Sequence, residues 1–483
     1  MNKSNSRWLW LIVGGCLLVI LIALFLPREH RKPNADRAST NEIASGSAAD
    51  ASHVPRARFL QRSARSEAAP SPTAEEIVAS KVRQFSHNRR ALAHAMADRV
   101  KIAVPSDVER FFAAVETGHW NEIDSAFKPL ADRYNAKPRP HDIDILWGPI
   151  LETLGAAESA HDWPAQKLLD YGDAVLSSLR PGMVYVGGTD PGRFIPTLLN
   201  ETTDGERHII VTQNGLGASS YLDYLNFLYS DRLTTLTHED SNRAFQEYLA
   251  DFQQRLAHDQ QFPDEPRQVL PGENNRAKRD GTSNFTITSK DGLVGVSGDV
   301  AIMAVNERLL QMLLQKNPEL SFAIEQSFPL KSTYADATPL GPIMELRVQD
   351  SQNVFTAERA AQSVDYWRTT AQQLLADPEA AGSLETRMAY AKMAFEQASL
   401  LLDHHYSAEA EQSFRLANEI CPSSSEAAFR LSDLLTRSGR ANEAAELLED
   451  FARRNPEKRA AVEEFRQSHP GRDETAPKPP SIP

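Results

Sequence analysis

A glycine-rich turn between two apolar runs carries the residues of this sequence that are best suited to chemistry. Gly187, Gly188, Thr189, Asp190 and Arg193 fall where a predicted strand ends and a predicted helix begins. Glycines allow backbone N–H groups to approach an anion closely, and the first turn of a helix favours negative charge. An arginine at this place would bind a carboxylate or a phosphate through two parallel hydrogen bonds. The turn therefore predicts a binding site for an anionic ligand.

Two amide side chains extend this candidate site. Gln213 and Asn214 directly follow the second apolar run, and they would lie beside the turn if the two strands pair in parallel. A purely structural interpretation stays open, in which the glycines form a tight turn, Asp190 caps it and Arg193 pairs with Asp190. The turn contains neither the Gly-Lys-Ser/Thr of a Walker A motif nor GxGxxG, so no nucleotide motif decides between the two interpretations.

No catalytic motif occurs in the sequence, and the catalytic residues of the chain, if it has any, stay unknown. Neither GxSxG nor HExxH is present. Asp190 would form a carboxylate pair with Glu325 or with Asp240 if the fold brought them together. Glu345, on an apolar strand, is expected to face outward. Whether the chain is an enzyme is left open, with a non-enzymatic role favoured.

The elements around the turn predict an α/β fold. An apolar run at 183–186 leads into the turn, a helical segment follows, and a second apolar run lies at 208–212, an order that is typical of a β-α-β unit. Further strands are predicted at 320–324 and 343–348. Strands that alternate with helices indicate a mostly parallel sheet flanked by helices, in a domain spanning 181–350.

Changes in composition and periodicity predict the other domains. Residues 73–180 show helical periodicity and are predicted to form a helical domain, and residues 355–470 are predicted to form helical hairpins. Residues 34–72 are rich in Ala, Ser and polar residues and predict a flexible linker. The tail at 471–483 is disordered by its composition.

Residues 1–33 are predicted to form a membrane anchor. The run WLWLIVGGCLLVILIALFL at 8–26 contains no charged residue, and its length suits one helical span of a bilayer. The run is too long for the apolar core of a signal peptide. We therefore expect a single-pass membrane protein that contacts the membrane through residues 8–26, with its soluble body outside the cytoplasm.

Charge and cysteine usage argue against several classes of protein. The chain of 483 residues has a formal net charge of −13 and no obvious Lys/Arg-rich face, which argues against a nucleic-acid partner. The two cysteines, Cys16 and Cys421, fall in different environments, and no Cys/His spacing indicates zinc. The sequence predicts no metal and no cofactor.

A repeat appears near the C-terminus and resembles tetratricopeptide (TPR) repeats. Pro422 and Pro456 are 34 residues apart, which is the length of one such repeat. His405 stands where the second copy has a glycine, so we expect an irregular first turn. An unrelated pair of helical hairpins stays open as an alternative, because the period is seen only twice. The residues predicted to pack the repeats are Phe395, Ala410, Phe429, Gly439, Ala444 and Pro456.

Three runs in the α/β region carry a resemblance to a known family. GGTDPGRFIPT, HIIVTQNGLGASSYLDYL and PLGPIMEL are similar to the soluble region of large multi-pass bacterial membrane proteins that look like protein O-mannosyltransferases. The resemblance covers about 183–348. It implies that glycosyl transfer takes place in the many membrane helices of that family, whereas this chain has one predicted span. The chain thus resembles a detached accessory or sensor domain, and Asp190 and Arg193 match the most distinctive part of the motif.

Two functional hypotheses follow from these patterns. The first is a membrane-anchored scaffold, accessory to envelope glycosylation or assembly, that binds a protein partner through its repeats, since such arrays present concave surfaces. The second is a membrane-tethered enzyme that acts on a sugar- or phosphate-bearing substrate at the glycine-rich turn. An enzyme should show a pocket joining Asp190, Arg193 and Asn214, while a scaffold should show these side chains paired among themselves.

Overall fold

The computed structural model describes residues 71–265, 267–270, 273, 286–290, 293–297, 299–326, 331–347 and 355–468. The predicted anchor at 1–33 and the predicted tail at 471–483 lie outside the described residues, as does the predicted linker up to residue 70. Among the described residues, no helix is long and apolar enough to cross a bilayer. This finding contradicts the prediction of a single-pass membrane protein; the run at 8–26, on which that prediction depended, lies outside the described residues.

In the described residues, five helices precede the first strand: α1 (Ala74–Val100), α2 (Ser106–Thr117), α3 (Trp120–Asn135), α4 (His141–Asp162) and α5 (Ala165–Leu176). At the start of α1, the amide of Thr73 donates to the Glu76 carboxylate at 2.9 Å, and the amide of Glu76 donates to the Thr73 hydroxyl at 3.2 Å. This reciprocal capping satisfies two backbone donors that the helix itself leaves free.

The described residues contain seven strands: β1 (Val184–Gly187), β2 (Ile209–Thr212), β3 (Thr286–Lys290), β4 (Leu293–Ser297), β5 (Phe322–Ile324), β6 (Ala337–Leu340) and β7 (Ile343–Leu346). Five of them form one sheet in the order β2-β1-β5-β7-β6, while β3 and β4 form a separate antiparallel pair. Strand β1 pairs in parallel with both β2 and β5. Strand β7 pairs in an antiparallel sense with β5 and β6, so the sheet is mixed.

The predicted α/β fold with a mostly parallel sheet is wrong. Most of the described residues are helical, and the sheet is small. Its parallel part ends at β5, because β7 pairs with β5 in the antiparallel sense. The connection between β6 and β7 has two residues, and such a short link likewise allows only antiparallel pairing. Strand β6 contains Pro339, which is tolerated there because β6 lies at the edge of the sheet but which conceals the strand in the sequence.

A β-α-β unit forms around the glycine-rich turn. Helix α6 (Asp190–Glu201) connects β1 to β2, and the parallel register places Val184 opposite Ile209 and Gly187 opposite Thr212. Strands β2 and β5 lie on opposite sides of β1. The connection that follows β1 therefore goes to one side of this strand, and the chain later returns to form β5 on the other side. Open sheets collect ligands at such a switch point.

Helices cover both faces of the sheet. Tyr185 and Ile210 pack with Ile195 of α6 and with the N-terminal helices on one face. Val186 and Val211 point to the opposite face and pack with the helices that follow β2. Alternate residues of each strand thus face two separate helical layers, which is why the strands read as continuous apolar runs. The helices of the second layer are α7 (Ser219–Tyr229), α8 (His238–Gln261) and α9 (Asp299–Lys316).

Residues 355–468 contain seven helices: α10 (Ala357–Ala376), α11 (Pro378–Gly382), α12 (Leu384–Asp403), α13 (Ser407–Ile420), α14 (Ser425–Arg437), α15 (Ala441–Arg454) and α16 (Arg459–Ser468). Helix α12 packs on α13 and α14 packs on α15, which gives two successive hairpins. Ala410 and Ala444, at equivalent places 34 residues apart, are both buried. Phe414 and Leu448 are equivalent and buried as well.

The two hairpin turns have the same backbone conformation, so the expected irregularity of the first turn is wrong. His405 has φ of 66° and Gly439 has φ of 76°, both in the left-handed region. In each turn the following amide bonds back to the preceding helix at 2.9 Å, from Tyr406 to Leu401 and from Arg440 to the equivalent leucine of α14. A histidine accepts this conformation at an energetic cost that glycine avoids.

The first hairpin is joined to the sheet by a buried amide. The Gln397 side chain donates to the carbonyl oxygens of Gly341 at 2.7 Å and Ile343 at 2.9 Å. Its own oxygen accepts from Ser363 at 2.6 Å and from the Trp367 indole at 3.1 Å. One side chain therefore connects α12 to the β6–β7 turn and to α10.

Candidate functional site

The start of α6 is fixed by local hydrogen bonds. Thr189 caps the helix, its hydroxyl accepting from the amide of Gly192 at 3.0 Å. Pro191 lies in the first turn, where the missing N–H group would have had no helical partner. The Tyr185 hydroxyl donates to the carbonyl oxygen of Gly192 at 2.7 Å and attaches the turn to β1. The sequence Thr-Asp-Pro-Gly is therefore enough to begin this helix at a defined place.

A carboxylate of the chain itself fills the anion-binding position of this turn. Glu325 follows β5, and its Oε2 accepts from the amides of Gly188 and Thr189, each at 2.8 Å. The Thr189 hydroxyl donates to Oε1, and the Tyr171 hydroxyl donates to the same oxygen at 3.3 Å. Burial raises the pKa of Glu325 above its ordinary value, although the bonds from Thr189 and Gly188 act in the opposite direction.

Gly192 is required by this contact, and Gly188 by the Gln326 side chain next to it. A Cβ atom on Gly192 would lie 1.9 Å from Glu325 Oε2, and one on Gly188 would lie 2.4 Å from the Gln326 side chain. Only glycine leaves room for the carboxylate to reach the backbone amides. The close backbone approach that the sequence predicted is thus present, but its occupant is an internal side chain.

Arg193 and Asp190 pair with each other, as the structural interpretation of the turn expected. Arg193 Nη2 lies 2.9 Å from Asp190 Oδ1, and the guanidinium lies 4.1 Å from the centre of the Phe194 ring. The Arg193 side chain is 8% exposed and that of Asp190 is 37% exposed. Nε and Nη2 of Arg193 are buried, and neither makes a hydrogen bond to the described residues, so the contact with Asp190 is an ion pair.

The two predicted amides lie near the turn but have different roles. Asn214 Nδ2 donates to the carbonyl oxygen of Gly188 at 3.3 Å, which joins the residue after β2 to the turn after β1. Asn306 belongs to α9, in the second helical layer, and its side-chain amide donates to the backbone carbonyl oxygen of Asn214 at 3.4 Å. Gln213 is fully buried, and neither polar atom of its side chain has a partner among the described residues. The structure thus brings Asn214 to the turn, whereas the Gln213 side chain makes no hydrogen bond to the other candidates in the described residues.

Two acidic residues that the sequence interpretation missed lie near the end of α4, and one of them, Glu158, is close enough to the turn to interact with Asp190 and Arg193. Glu158 and Asp162 occupy the last turns of α4. Burial, and then the negative charges of Asp162, Asp190 and Asp124, raise the pKa of Glu158 to about 8, while Arg193 lowers it. The pKa of Asp162 is raised as well, chiefly by burial. The two residues follow Gly155 by three and seven positions, so they lie on the same face of α4 as this glycine, where α4 packs on α6. This helical spacing is the signal in the sequence that could have identified them.

The other acidic candidates are structural. Glu345 is 1% exposed, so the expectation that it faces outward is wrong; it forms a bidentate pair with Arg180, whose Nη1 lies at 2.9 Å. Asp240 does not pair with Asp190 but caps α8 and lies 2.6 Å from Lys316 Nζ.

The residues predicted to pack the repeats are divided between core and turn. Phe395 is half-buried, with its ring centre 5.6 Å from that of Phe414. Phe429 stacks on Phe465 of α16 at 4.6 Å. Pro456 is exposed and opens a short 3-10 turn before α16. Ala410 and Ala444 lie in the hairpin cores and Gly439 in a hairpin turn, as described above.

No family model, no curated protein and no solved structure matches the chain. The similarity of residues 183–348 to protein O-mannosyltransferase-like membrane proteins therefore stays a prediction. The assignment of the C-terminal hairpins to the TPR family has no support from these comparisons.

Proposed function

We propose that this chain is a binding protein that docks a protein partner on its C-terminal helices, with the sheet and its flanking helices as a rigid support. The observation that carries this proposal is an exposed apolar pair on α12. Leu384 and Met388 are 42% and 53% exposed and lie one helical turn apart on the same face. Leu375, near the end of α10, is 37% exposed.

The distribution of exposed apolar side chains supports this location. Three of the five large apolar side chains that are clearly exposed in the described residues lie at 375–388, and the other two are Val100 and Phe262. Apolar side chains gathered in one place mark interaction surfaces, whereas scattered ones need no explanation. Methionine adapts to the shape of a partner because its side chain is unbranched and polarizable.

Charges around the apolar pair indicate the chemistry of the partner. Glu379 and Glu385 flank the pair and are exposed. The chain as a whole carries a net charge of −13. A complementary surface would carry apolar side chains with basic residues at its rim, because opposite charges steer encounter and exclude wrong partners.

Two exposed ion pairs connect the first hairpin to the second. Arg440 Nη1 lies 2.8 Å from Glu411 Oε2, and Arg415 Nη2 lies 2.5 Å from Glu443 Oε1. Glu411 and Arg415 belong to α13, while Arg440 and Glu443 lie at the start of α15. A surface that is already ordered loses less entropy on binding than a flexible one.

The alternative of an enzyme at the glycine-rich turn receives less support. Catalysis on a phosphate-bearing substrate there would need free amide donors and a free arginine. The amides of Gly188 and Thr189 are engaged by Glu325, and Arg193 is paired with Asp190. The scaffold hypothesis expected the polar side chains of the turn to be engaged within the protein, and the pair of Arg193 with Asp190 agrees with that expectation.

Site-specific photo-crosslinking tests the docking surface. A benzophenone side chain replaces Met388 in one sample and Phe262, which is 40% exposed, in another. We expect the first sample to form a discrete protein adduct in the native cell and the second to form none. The adduct partner is then purified and its Kd for the chain is measured.

Binding of the purified partner is compared in two variants with matched exposure. Leu384→Glu should weaken binding at least tenfold, because a charge enters the centre of the interface. Val100→Glu is the control, since Val100 is 43% exposed against 42% for Leu384. Equal adducts at both crosslinking positions, or equal Kd values for both variants, would remove the proposal.

A further inference from the structure

The docking surface proposed above, which consists of Leu375, Leu384 and Met388, has an acidic border. Between α10 and the second turn of α12, the chain carries three carboxylates and one guanidinium group, at Asp377, Glu379, Glu385 and Arg387. Glu379 and Glu385 are exposed, and Asp377 is half-buried. The border of this surface therefore has a net negative charge.

Helix α5 extends the acidic border on one side. The Tyr171 ring of α5 meets the Tyr390 ring of α12 edge to face, with ring centres 5.4 Å apart. Lys167 Nζ lies 2.5 Å from Asp377 Oδ2 and 2.8 Å from Asp170 Oδ2, so one ammonium group joins α5 to the start of α11. Asp170 is exposed beside this group and adds a further carboxylate to the border.

This charge pattern argues against a second copy of the chain as the occupant of the surface. In a symmetric dimer the surface would meet itself, so Glu379 and Glu385 of both copies would lie in one interface. Like charges placed together in this way cost free energy, whereas cations around an apolar centre are attracted. The surface fits a short segment that combines basic residues with large apolar side chains.

Residues 56–65 of this chain have that composition. Their sequence is RARFLQRSAR, which contains four arginines, no acidic residue and the apolar pair Phe59 and Leu60 near its centre. The basic run RAKR at 276–279 contains no large apolar side chain, so it matches the border alone. Residues 56–65 complement both the apolar centre and the acidic border of the docking surface.

The place of this segment in the chain brings it within reach of the surface. It lies outside the described residues, and from Leu60 to residue 71, where the description begins, the chain advances eleven positions. A tether of this length spans up to about 36 Å. Helix α1 packs on α5 and α5 contacts α12, so two helix spacings of about 10 Å each separate α1 from the surface. The tether is longer than this separation.

We propose that residues 56–65 bind the docking surface of the same molecule and compete there with the protein partner. Phe59 and Leu60 cover Leu384 and Met388, and the arginines pair with the carboxylates of the border through parallel hydrogen bonds. A tethered segment has an effective concentration on the order of millimolar, so a weak contact is enough to compete. The inference rests on the proposed function, since segment and partner share one surface, and it adds the regulation of that surface.

Photo-crosslinking within the purified full chain tests the contact without any partner. A benzophenone side chain replaces Phe59 in one sample and Ile43, which has no arginine within five positions, in the control. Peptide mapping should place the Phe59 adduct within residues 375–388 and find no adduct there from Ile43. A mixture of ¹⁵N-labelled and unlabelled chains distinguishes adducts within one copy from adducts between copies, and we expect the former.

Charge reversal on either side of the contact tests its chemistry. The double variant Arg58→Glu with Arg62→Glu, and the single variant Glu385→Lys, should each lower the yield of the Phe59 adduct at least fivefold. Glu446→Lys is the control, because Glu446 is also exposed but lies on α15. The arginine variant changes no described residue, so it decides the question if Glu385→Lys does not fold. Adducts outside 375–388, adducts between copies, or an unchanged yield in the arginine variant overturn the proposal.

Binding of the purified partner measures the competition. The full chain with Arg58→Glu and Arg62→Glu should bind the partner at least fivefold more tightly than the wild type, because the segment no longer occupies the surface. An unchanged Kd in this variant overturns the competition. Failure to capture a partner at Met388 would remove the docking function alone, because the Phe59 adduct forms without any partner.

Discussion

Glu325 Oε2 lies 2.8 Å from the amide nitrogen of Thr189, so a residue at the end of β5 supplies the anion for the first turn of α6. The N-terminus of a helix attracts negative charge, and external phosphates or carboxylates commonly occupy it. Here the anion arrives from 136 positions away in the chain. The contact joins β1, β5 and α6 at the carboxyl edge of the sheet, where a mobile ligand would otherwise bind.

The first prediction concerns the glycine that admits this carboxylate. Gly192→Ala should destabilise the protein by about 2 kcal/mol or more, because the new methyl group would lie 1.9 Å from Glu325 Oε2 and would displace it from its amide donors. Urea unfolding followed by circular dichroism measures the change in free energy.

Gly382→Ala provides the matched control for this prediction. Gly382 is also helical, and a Cβ atom there would meet nothing within 4 Å. Alanine at such a position should be neutral or stabilising by up to about 1 kcal/mol. A cost for Gly192→Ala no larger than that of the control would show that the carboxylate contact does not restrict residue 192.

The β-α-β unit was predictable from sequence because its signals are local. Apolar runs, the glycines and the Thr-Asp-Pro start of α6 all lie within about thirty residues and act on one another directly. The partner of the turn was not predictable, since nothing in the sequence around Glu325 distinguishes it from an exposed glutamate. The mixed sheet was missed for a similar reason, because nothing in β5 or β7 themselves sets the antiparallel sense of their pairing, and the neighbouring edge strand β6 contains Pro339.

The second prediction is a dependence of stability on pH that originates at Glu158. Burial and the charges of Asp162, Asp190 and Asp124 raise its pKa from 4.5 to about 8, while Arg193 opposes them. The folded state therefore holds a proton that the unfolded chain releases. The stability that Glu158 contributes is fully present below pH 4.5 and is lost as the pH rises to about 8.

Glu158→Gln removes this titration and tests its sign. Relative to the glutamine variant, the wild type should lose about 2 kcal/mol of stability between pH 5 and pH 9, since each pKa unit corresponds to about 1.4 kcal/mol and solvent screens part of the interaction. Urea unfolding at several pH values gives the difference. Parallel stability curves for the two proteins would show that Glu158 titrates near its ordinary value.

The third prediction uses the two equivalent hairpin turns. His405→Gly should stabilise the protein by about 0.5 to 1 kcal/mol, because His405 holds φ of 66° and its side chain is exposed. Gly439→Ala should destabilise by about 1 kcal/mol, since Gly439 holds φ of 76°. Thermal unfolding of both variants measures the opposite shifts. Shifts of the same sign would mean that backbone conformation does not control these turns.

The repeat itself was visible in the sequence, while its connection to the rest of the fold was not. The period of 34 residues, with alanine at 410 and 444, describes contacts within and between neighbouring helices. At the same offset, Gln397 stands where the second copy has Leu431. A polar residue at a core position of one copy was the only sign that the first hairpin makes an additional contact, and its partners, Gly341 and Ile343, lie more than fifty positions away.

The fourth prediction concerns that amide. Gln397→Leu should cost about 3 kcal/mol, because the carbonyl oxygens of Gly341 and Ile343 and the indole of Trp367 would stay buried without their partner. Gln373→Leu is the control, on an exposed position of α10. Urea unfolding followed by circular dichroism gives the free energies of both variants. Equal costs for the two substitutions would mean that apolar packing holds the first hairpin to the sheet and that the amide is dispensable.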